Sequence, residues 1–169
     1  MSLVEIILNS CGEVEKVKKI QGSLEACPDE DKLKLLTEKD ISGRTPLHRA
    51  AERGHTEVVK ALLEACPAEN KFALLTAQDE DGETPLHVAA IKGRIDVVKA
   101  LLEACPGENK FALLTEKDRS GRTLLHLAAE AGHTDVVKAL LEACPAENKF
   151  ALLTEKHRSG STILLFMLI

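Results

Sequence analysis

Histidine side chains recur in this sequence at a spacing that could serve metal binding or proton transfer. His48, His87 and His126 are spaced 39 residues apart, and each follows a threonine by three positions. Imidazole is a common zinc ligand and general base. Repeated helices pack about 8–10 Å apart, too far for one ion to bind two histidines of such a row. Since no serine–histidine–aspartate or cysteine–histidine set stands apart either, we expect no enzyme activity, metal or cofactor.

The cysteines are the other candidate ligands or nucleophiles. Cys66, Cys105 and Cys144 follow the same 39-residue step. A disulfide needs Cα atoms within about 7 Å, which is less than the spacing of packed helices, so we expect no bridges in this row. No Cys-x-x-Cys pair occurs, which argues against zinc. Pairing of Cys11 with Cys27 stays open, and unpaired thiols otherwise favour a reducing compartment.

Composition excludes several classes of partner. The net charge is −5, and no basic stripe with stacking aromatic residues indicates a nucleic-acid surface. The apolar stretch ILLFMLI at 163–169 is far shorter than the roughly 20 residues that a membrane span needs. No signal peptide is recognisable at the N-terminus. We expect an intracellular, cytoplasmic protein that contacts neither nucleic acid nor membrane, although delivery into a host cell remains open.

The histidines and cysteines belong to a unit of 39 residues that occurs several times. The motif TPLH begins at Thr45 and Thr84, and TLLH begins at Thr123. A fixed period of about 20 to 50 residues is the signature of a stacked repeat array. We therefore expect one elongated domain, composed of a first unit at 1–39, full units at 40–78, 79–117 and 118–156, and a partial unit at 157–169.

Each full unit predicts a turn followed by two helices. In the first full unit residues 40–43 favour a turn, Thr45 is a typical helix-start residue, and Pro46 suits the first helical position. Gly54 ends this helix. A second helix comes next, and its apolar stripe of helical period consists of Val58, Val59, Leu62 and Leu63.

The stretch CPAENKFALLTAQ, residues 66–78, predicts a short third helix in each unit. Pro67 sits where a helix can begin, and Phe72 and Leu75 are three residues apart. We expect the equivalent rings of Phe72, Phe111 and Phe150 to pack inward. The alternative is an exposed row of phenylalanines that contacts a partner.

The motif Asp-x-x-Gly-x-Thr-Pro-Leu-His-x-Ala-Ala-x-x-Gly-His, followed by Val-Val-Lys-x-Leu-Leu, resembles the ankyrin repeat. Arg94 stands where the other units have histidine, and Leu124 replaces the proline. The units are also longer than the family's usual period of about 33 residues. The resemblance implies an all-α solenoid of helix–turn–helix repeats with short turns, in which His48 braces Thr45. It also implies a scaffold that recognises proteins through a concave face of turn tips and first helices.

Positions that differ between units are candidates for contacts with a partner, because the positions shared by all units are expected to hold the stack together. The resemblance places the differing ones at the turn tips and on the first helices. The candidate contacts are Ile41, Arg44, Glu52, Arg53, Glu80, Asp81, Glu83, Ile91, Lys92, Arg119, Arg122 and Glu130. The tips alternate in charge from basic to acidic to basic, so a partner with the complementary order is expected. The alternative is neutral variation on a solvated rim.

The two ends differ from the full units. Residues 1–39 are expected to form a cap of two helices, at 3–11 and 13–26, with Lys16, Lys18 and Lys19 on an exposed face. Residues 157–169 align with only a turn and a first helix. Their apolar side chains predict either a cover for the last full unit or a dimer contact through Leu164, Leu165, Phe166, Met167, Leu168 and Ile169.

The similarity of the units leaves one more alternative open. The first and third full units differ at only seven of 39 positions. Recent duplication would produce such similarity, and so would an idealised, designed scaffold without a natural partner. The sequence does not identify the partner of a natural scaffold.

Overall fold

The computed structural model describes residues 2–9, 11–156 and 158, and these form a stack of helical repeats. The first unit contains α1 (Leu3–Leu8), α2 (Glu13–Glu25) and α3 (Asp29–Thr37). The next two units contain α4 (Pro46–Arg53), α5 (Thr56–Ala65) and α6 (Ala68–Leu75), then α7 (Pro85–Ile91), α8 (Ile95–Ala104), a 3₁₀ turn (Gly107–Asn109) and α9 (Lys110–Leu114). The last described unit contains α10 (Leu124–Glu130), α11 (Thr134–Ala143), a 3₁₀ turn (Ala146–Asn148) and α12 (Lys149–Thr154).

The first helix of each full unit begins and ends as the sequence predicts. Thr45 is the N-cap of α4, and Pro46 occupies its first turn. Gly54 comes directly after α4 in the left-handed conformation, with φ of 74°, which a residue with a Cβ adopts only at a cost. The same turn–helix–glycine pattern recurs around α7 and α10, with left-handed Gly93 and Gly132. The all-α repeat fold is thereby confirmed.

Equivalent helices of successive units pack side by side. The first helices α4, α7 and α10 form one layer, and the second helices α5, α8 and α11 form another. In the first unit, α1 packs against α4 and α2 packs against α5, so this unit stands in the place of a preceding repeat. Alanine pairs such as Ala50–Ala51 and Ala89–Ala90 are fully buried in the first layer, where their small size permits close approach of neighbouring helices.

The extra residues of the long repeat form the third short helix that the sequence predicts. α6, α9 and α12 come after the second helices, and α3 occupies the same place in the first unit. Phe72 and Phe111 are partly buried against the core, whereas the Phe150 side chain is exposed, at 77 %. The inward packing predicted for Phe150 is wrong, because α12 belongs to the last described repeat and no later repeat in the described part covers it.

Of the three lysines of the first unit that were predicted to form an exposed face, only two are exposed. Lys18 and Lys19 of α2 are exposed, but Lys16 is buried, at 3 %. The prediction that Lys16 faces solvent is therefore wrong. Its ammonium lies against the next repeat, 2.8 Å from Nε2 of His55. All five cysteines are free thiols, and burial raises the pKa of the Cys66 thiol.

Candidate functional site

The recurrent histidines His48, His87 and His126 are buried within the stack rather than facing solvent. The backbone N–H of Thr45 donates to Nδ1 of His48 at 3.2 Å, so Nε2 carries the ring proton and donates to the carbonyl of Glu83 in the next repeat, at 2.9 Å. Thr84 and His87 repeat the contact at the helix start, whereas Nε2 of His87 lies 3.2 Å from the carbonyl of Glu116, near the end of its own unit. Burial lowers the pKa of both His48 and His87 to about 4, so both are neutral near pH 7. Both histidines therefore brace a helix start, and His48 also links two repeats.

Each turn is closed by an aspartate that accepts backbone hydrogen bonds. Asp40 accepts from the N–H groups of Ser42 and Arg44, and Asp79 accepts from those of Asp81 and Glu83. A buried carboxylate needs a cationic partner as well as hydrogen bonds. The cationic partner comes from a different position in each repeat. Asp40 pairs with Arg49, Asp79 pairs with Arg44, and Asp118 pairs with Arg122.

Arg44 is the centre of a charged cluster that joins two repeats. Its Nε lies 3.0 Å from Asp79, and its two terminal nitrogens lie 3.0 Å from Glu52 and 3.6 Å from Glu83. Burial alone would raise the pKa of the Glu52 carboxyl, but the hydrogen bond and charge of Arg49, with Arg44, bring it below the usual value. Burial, together with the carboxylate of Asp79, raises the pKa of Glu83.

This cluster involves several of the contacts predicted from the sequence. The Arg44 side chain is only 18 % exposed, and that of Glu83 is 13 % exposed. Arg122 pairs with Asp118 at 2.8 Å and with Glu130 at 3.4 Å. Much of the alternating charge along the turns is thus paired inside the chain. A role of these residues in partner binding stays a prediction.

Other predicted contacts point into solvent on one face. We call this surface the turn–helix face: the exposed and half-buried side chains of turns 40–44, 79–83 and 118–122, of α4, α7 and α10, and of Lys92 directly after α7. Ile41 is almost completely exposed, at 98 %. Ile91 is half-buried. The exposed charged members are Glu80, Asp81, Arg53, Lys92, Arg119 and Glu130, and within the described residues only Glu130 of these is in an ion pair.

The middle repeat interrupts a pattern on this face. In the repeats on either side, an arginine at the base of the turn reaches along the first helix to a glutamate at its end, as in Arg44–Glu52 and Arg122–Glu130. The middle repeat has Glu83 and Ile91 at these two positions, so no such pair forms there. The half-buried side chain of Ile91 lies between two ion pairs. We call this place the middle-repeat notch.

Sequence reasoning missed a second row of contacts between repeats, at the loops after the first helices. Arg94 donates from Nε to the carbonyl of Glu52 at 3.3 Å, and His133 reaches the carbonyl of Ile91 at 3.0 Å. Both side chains therefore cap the first helix of the preceding repeat, where carbonyls lack intrahelical partners. Arg94 and His133 occupy equivalent positions 39 residues apart, and Lys16 lies at a whole multiple of the same spacing. This regular spacing was the signal in the sequence for a row of contacts between repeats.

Some predictions fall outside the part of the chain that the structure describes. The residues expected to form a dimer contact, 164–169, are outside the described residues. Within residues 2–9, 11–156 and 158, no helix has the length and apolar character of a membrane span. The same residues contain no group of three or more histidine, cysteine, aspartate or glutamate side chains placed to hold a metal ion.

Comparison with known proteins agrees with the repeat architecture. A family model for ankyrin repeats (3 copies) matches residues 12–112 and 70–151. A search of curated proteins found no match. Ankyrin repeats are generally protein–protein interaction modules. The match spans most of the sequence and coincides with the stacked helices, the capped threonines and the glycine loops described above, and the chain belongs to the ankyrin-repeat family.

Proposed function

We propose that this chain is a scaffold that binds a protein partner through its turn–helix face. The observation that carries the proposal is the set of exposed side chains on that face that vary from repeat to repeat and form no ion pair in the described structure. Ile41 at the first tip, Glu80 and Asp81 at the second, and Arg119 at the third belong to this set. No ion pair within the described residues engages the charged ends of these side chains, so they are available to select a partner.

The stiffness of the underlying repeats supports the same proposal. The bond of His48 to the carbonyl of Glu83 and the Arg44 cluster link the first full unit to the turn of the next repeat. Backbone hydrogen bonds add to these links: Glu80 donates to the carbonyl of Ser42 at 3.3 Å, and Arg119 donates to that of Asp81 at 2.9 Å. A surface held in its bound shape loses little entropy on association.

The chemistry of the buried histidines supports binding rather than catalysis. A general base works best when its pKa lies near the working pH and its nitrogen reaches the substrate. His48 and His87 are fully buried, have a pKa of about 4, and use both ring nitrogens in hydrogen bonds within the chain. We infer that they serve the fold.

Site-specific photo-crosslinking tests the proposal. A photoreactive amino acid replaces Ile91 on the turn–helix face in one chain and Glu103 on the outer surface of α8 in a second chain, and both are irradiated in extracts of the producing cell. We expect a discrete crosslinked polypeptide from position 91 and not from position 103. Crosslinks from position 103 alone, or from neither position, would contradict the proposed function.

Self-association through the C-terminal end is the second candidate. The exposed ring of Phe150 on α12 favours it, because a large exposed aromatic side chain is typical of association surfaces. Light scattering with size exclusion would compare the whole chain with the Phe150→Ser variant and with a chain ending at Ser161. This candidate is supported if the whole chain is a dimer and either the Phe150→Ser variant or the shortened chain is a monomer. A monomer throughout removes it.

A further inference from the structure

The middle-repeat notch differs from its neighbours in a way that stacking does not require. Arg–glutamate pairs occupy the first-helix surface of the repeats on both sides. Both neighbours therefore show that this surface tolerates a charged pair. The middle repeat instead presents the aliphatic side chain of Ile91, half-buried at the end of α7. An aliphatic side chain bordered by charged pairs is suited to take up one apolar side chain of a partner.

Unpaired charges of opposite sign lie at the two ends of this notch. The turn before α7 carries Glu80 and Asp81, both exposed. Beyond the other end of α7 lies Lys92, and the end of the preceding first helix carries Arg53, both exposed. No ion pair within the described residues neutralises any of these four side chains. The notch is therefore bordered by acidic side chains at the turn before α7 and by basic side chains at the ends of α4 and α7.

We propose that the turn–helix face recognises a polypeptide segment with an aliphatic side chain between a basic and an acidic group. The aliphatic side chain contacts Ile91, the basic group contacts Glu80 and Asp81, and the acidic group contacts Lys92 and Arg53. This proposal rests on the proposed function, since it specifies the partner chemistry of the same face. Complementary charges fix the orientation of the segment, and the apolar contact supplies most of the affinity.

The length of α7 sets the spacing that the segment needs. The helix has seven residues, and a rise of about 1.5 Å per residue separates its two charged ends by at least about 10 Å. A partner spans this distance with about seven residues of helix or about three of extended chain. Since exposed charges are screened over about 8–10 Å at physiological salt, binding weakens as salt is added.

A peptide selection on the whole chain tests the proposal. A random peptide library is selected on the wild-type chain after depletion on the double variant Glu83→Arg, Ile91→Glu, which gives the middle repeat the residue types of its neighbours. Arginine and glutamate occupy these positions in the adjacent repeats, but Glu83→Arg also replaces the contact of Glu83 with Arg44 by a like charge. Circular dichroism therefore checks the fold, and Ile91→Glu alone serves as a second depletion variant. Enriched peptides are expected to carry a basic and an acidic residue on opposite sides of an aliphatic one.

Charge variants then measure how those peptides bind. Glu80→Lys with Asp81→Lys, and separately Lys92→Glu, are expected to weaken the selected peptides by about tenfold or more. The matched control Glu103→Lys, in the same repeat on α8, should leave affinity unchanged. Selected peptides with one charge sign or none, or an absence of enriched peptides, overturn the proposed chemistry. Photo-crosslinking at position 91 decides the proposed function independently of this result.

Discussion

The guanidinium of Arg44 and the carboxylate of Asp79 belong to adjacent repeats and lie 3.0 Å apart. Asp79 is the turn aspartate of its own repeat, and its side chain is only 1 % exposed. A cation from one repeat thus stabilises the turn of the next. The contact links the stability of the stack to the proposed binding surface, because the turns that it stiffens also carry the exposed tips of the turn–helix face.

Replacing Arg44 by methionine is expected to destabilise the chain by about 2–3 kcal/mol, because it leaves the buried carboxylate of Asp79 without its cation. Asp79 keeps two backbone hydrogen bonds, so the loss stays moderate. Urea denaturation followed by circular dichroism measures it, since the chain has no tryptophan or tyrosine for fluorescence. The control Arg53→Met removes an exposed arginine and should change stability by less than about 0.5 kcal/mol. Equal effects of the two substitutions would contradict the assigned role of Arg44.

Acid is expected to destabilise the fold through its buried histidines. Burial lowers the pKa of His48 and His87 from 6.5 to about 4, so the unfolded chain binds protons that the folded chain does not. Their stabilising contribution is therefore complete above about pH 6.5 and is lost as the pH falls towards 4. Urea midpoints measured across this interval should decline. The urea midpoint of the His87→Gln variant, which has one buried histidine fewer, should decline less steeply as the pH falls. An unchanged dependence of the midpoint on pH would argue against titration of His87.

The contact between buried Lys16 and half-buried His55 gives a prediction about the pKa of His55. Burial, and next the charge of Lys16, lower the pKa of His55. The variant Lys16→Met keeps much of the packing and removes the charge, so the pKa of His55 should rise. An NMR titration of the His55 ring measures the change, with Lys18→Met on the exposed side of α2 as the control. If the pKa of His55 stays constant or falls in Lys16→Met, the charge of Lys16 does not lower that pKa.

A comparison of alanine variants at two equivalent glycines distinguishes the cost of backbone strain from the cost of losing a contact between repeats. Gly93 and Gly132 both have positive φ, but a Cβ on Gly93 would lie 2.6 Å from the His133 ring, whereas one on Gly132 would meet no atom of the described residues within 4 Å. Both alanine variants lose about 1 kcal/mol of stability, because a residue with a Cβ is strained in the left-handed backbone conformation. Gly93→Ala should lose about 1 kcal/mol more, because moving His133 breaks its bond to the carbonyl of Ile91. Equal losses in urea denaturation would mean that His133 contributes little.

Features set by local sequence were predictable. Threonine caps, proline in the first turn and glycine after the helix depend on neighbouring residues, so the bounds of α4 and its equivalents can be read from the pattern. The third short helix was predictable for the same reason. Repetition then showed that equivalent helices stack, because identical units bury their faces against one another.

Features set by contacts between repeats were not predictable in the same way. Lys16 looked like one of several surface lysines, since its partner His55 lies 39 residues away. The pairing of Arg44 depends on how the next turn sits beside it, and spacing alone does not supply that geometry. Phe150 has the same local sequence as Phe72 and Phe111, yet its exposure depends on whether another repeat packs against α12. The candidate contacts therefore needed the structure to divide paired side chains from exposed ones.

Binding of a protein by the turn–helix face of the middle repeat is the central proposal about this chain. Its most direct test is the affinity of the Ile91→Glu chain for the polypeptide that crosslinks at position 91, measured beside Glu103→Lys. Glutamate occupies the equivalent positions 52 and 130, so the fold should tolerate the first substitution. We expect a loss of about tenfold or more for Ile91→Glu and no change for Glu103→Lys. Unchanged affinity for Ile91→Glu, or a loss confined to Glu103→Lys, would contradict the proposed binding surface.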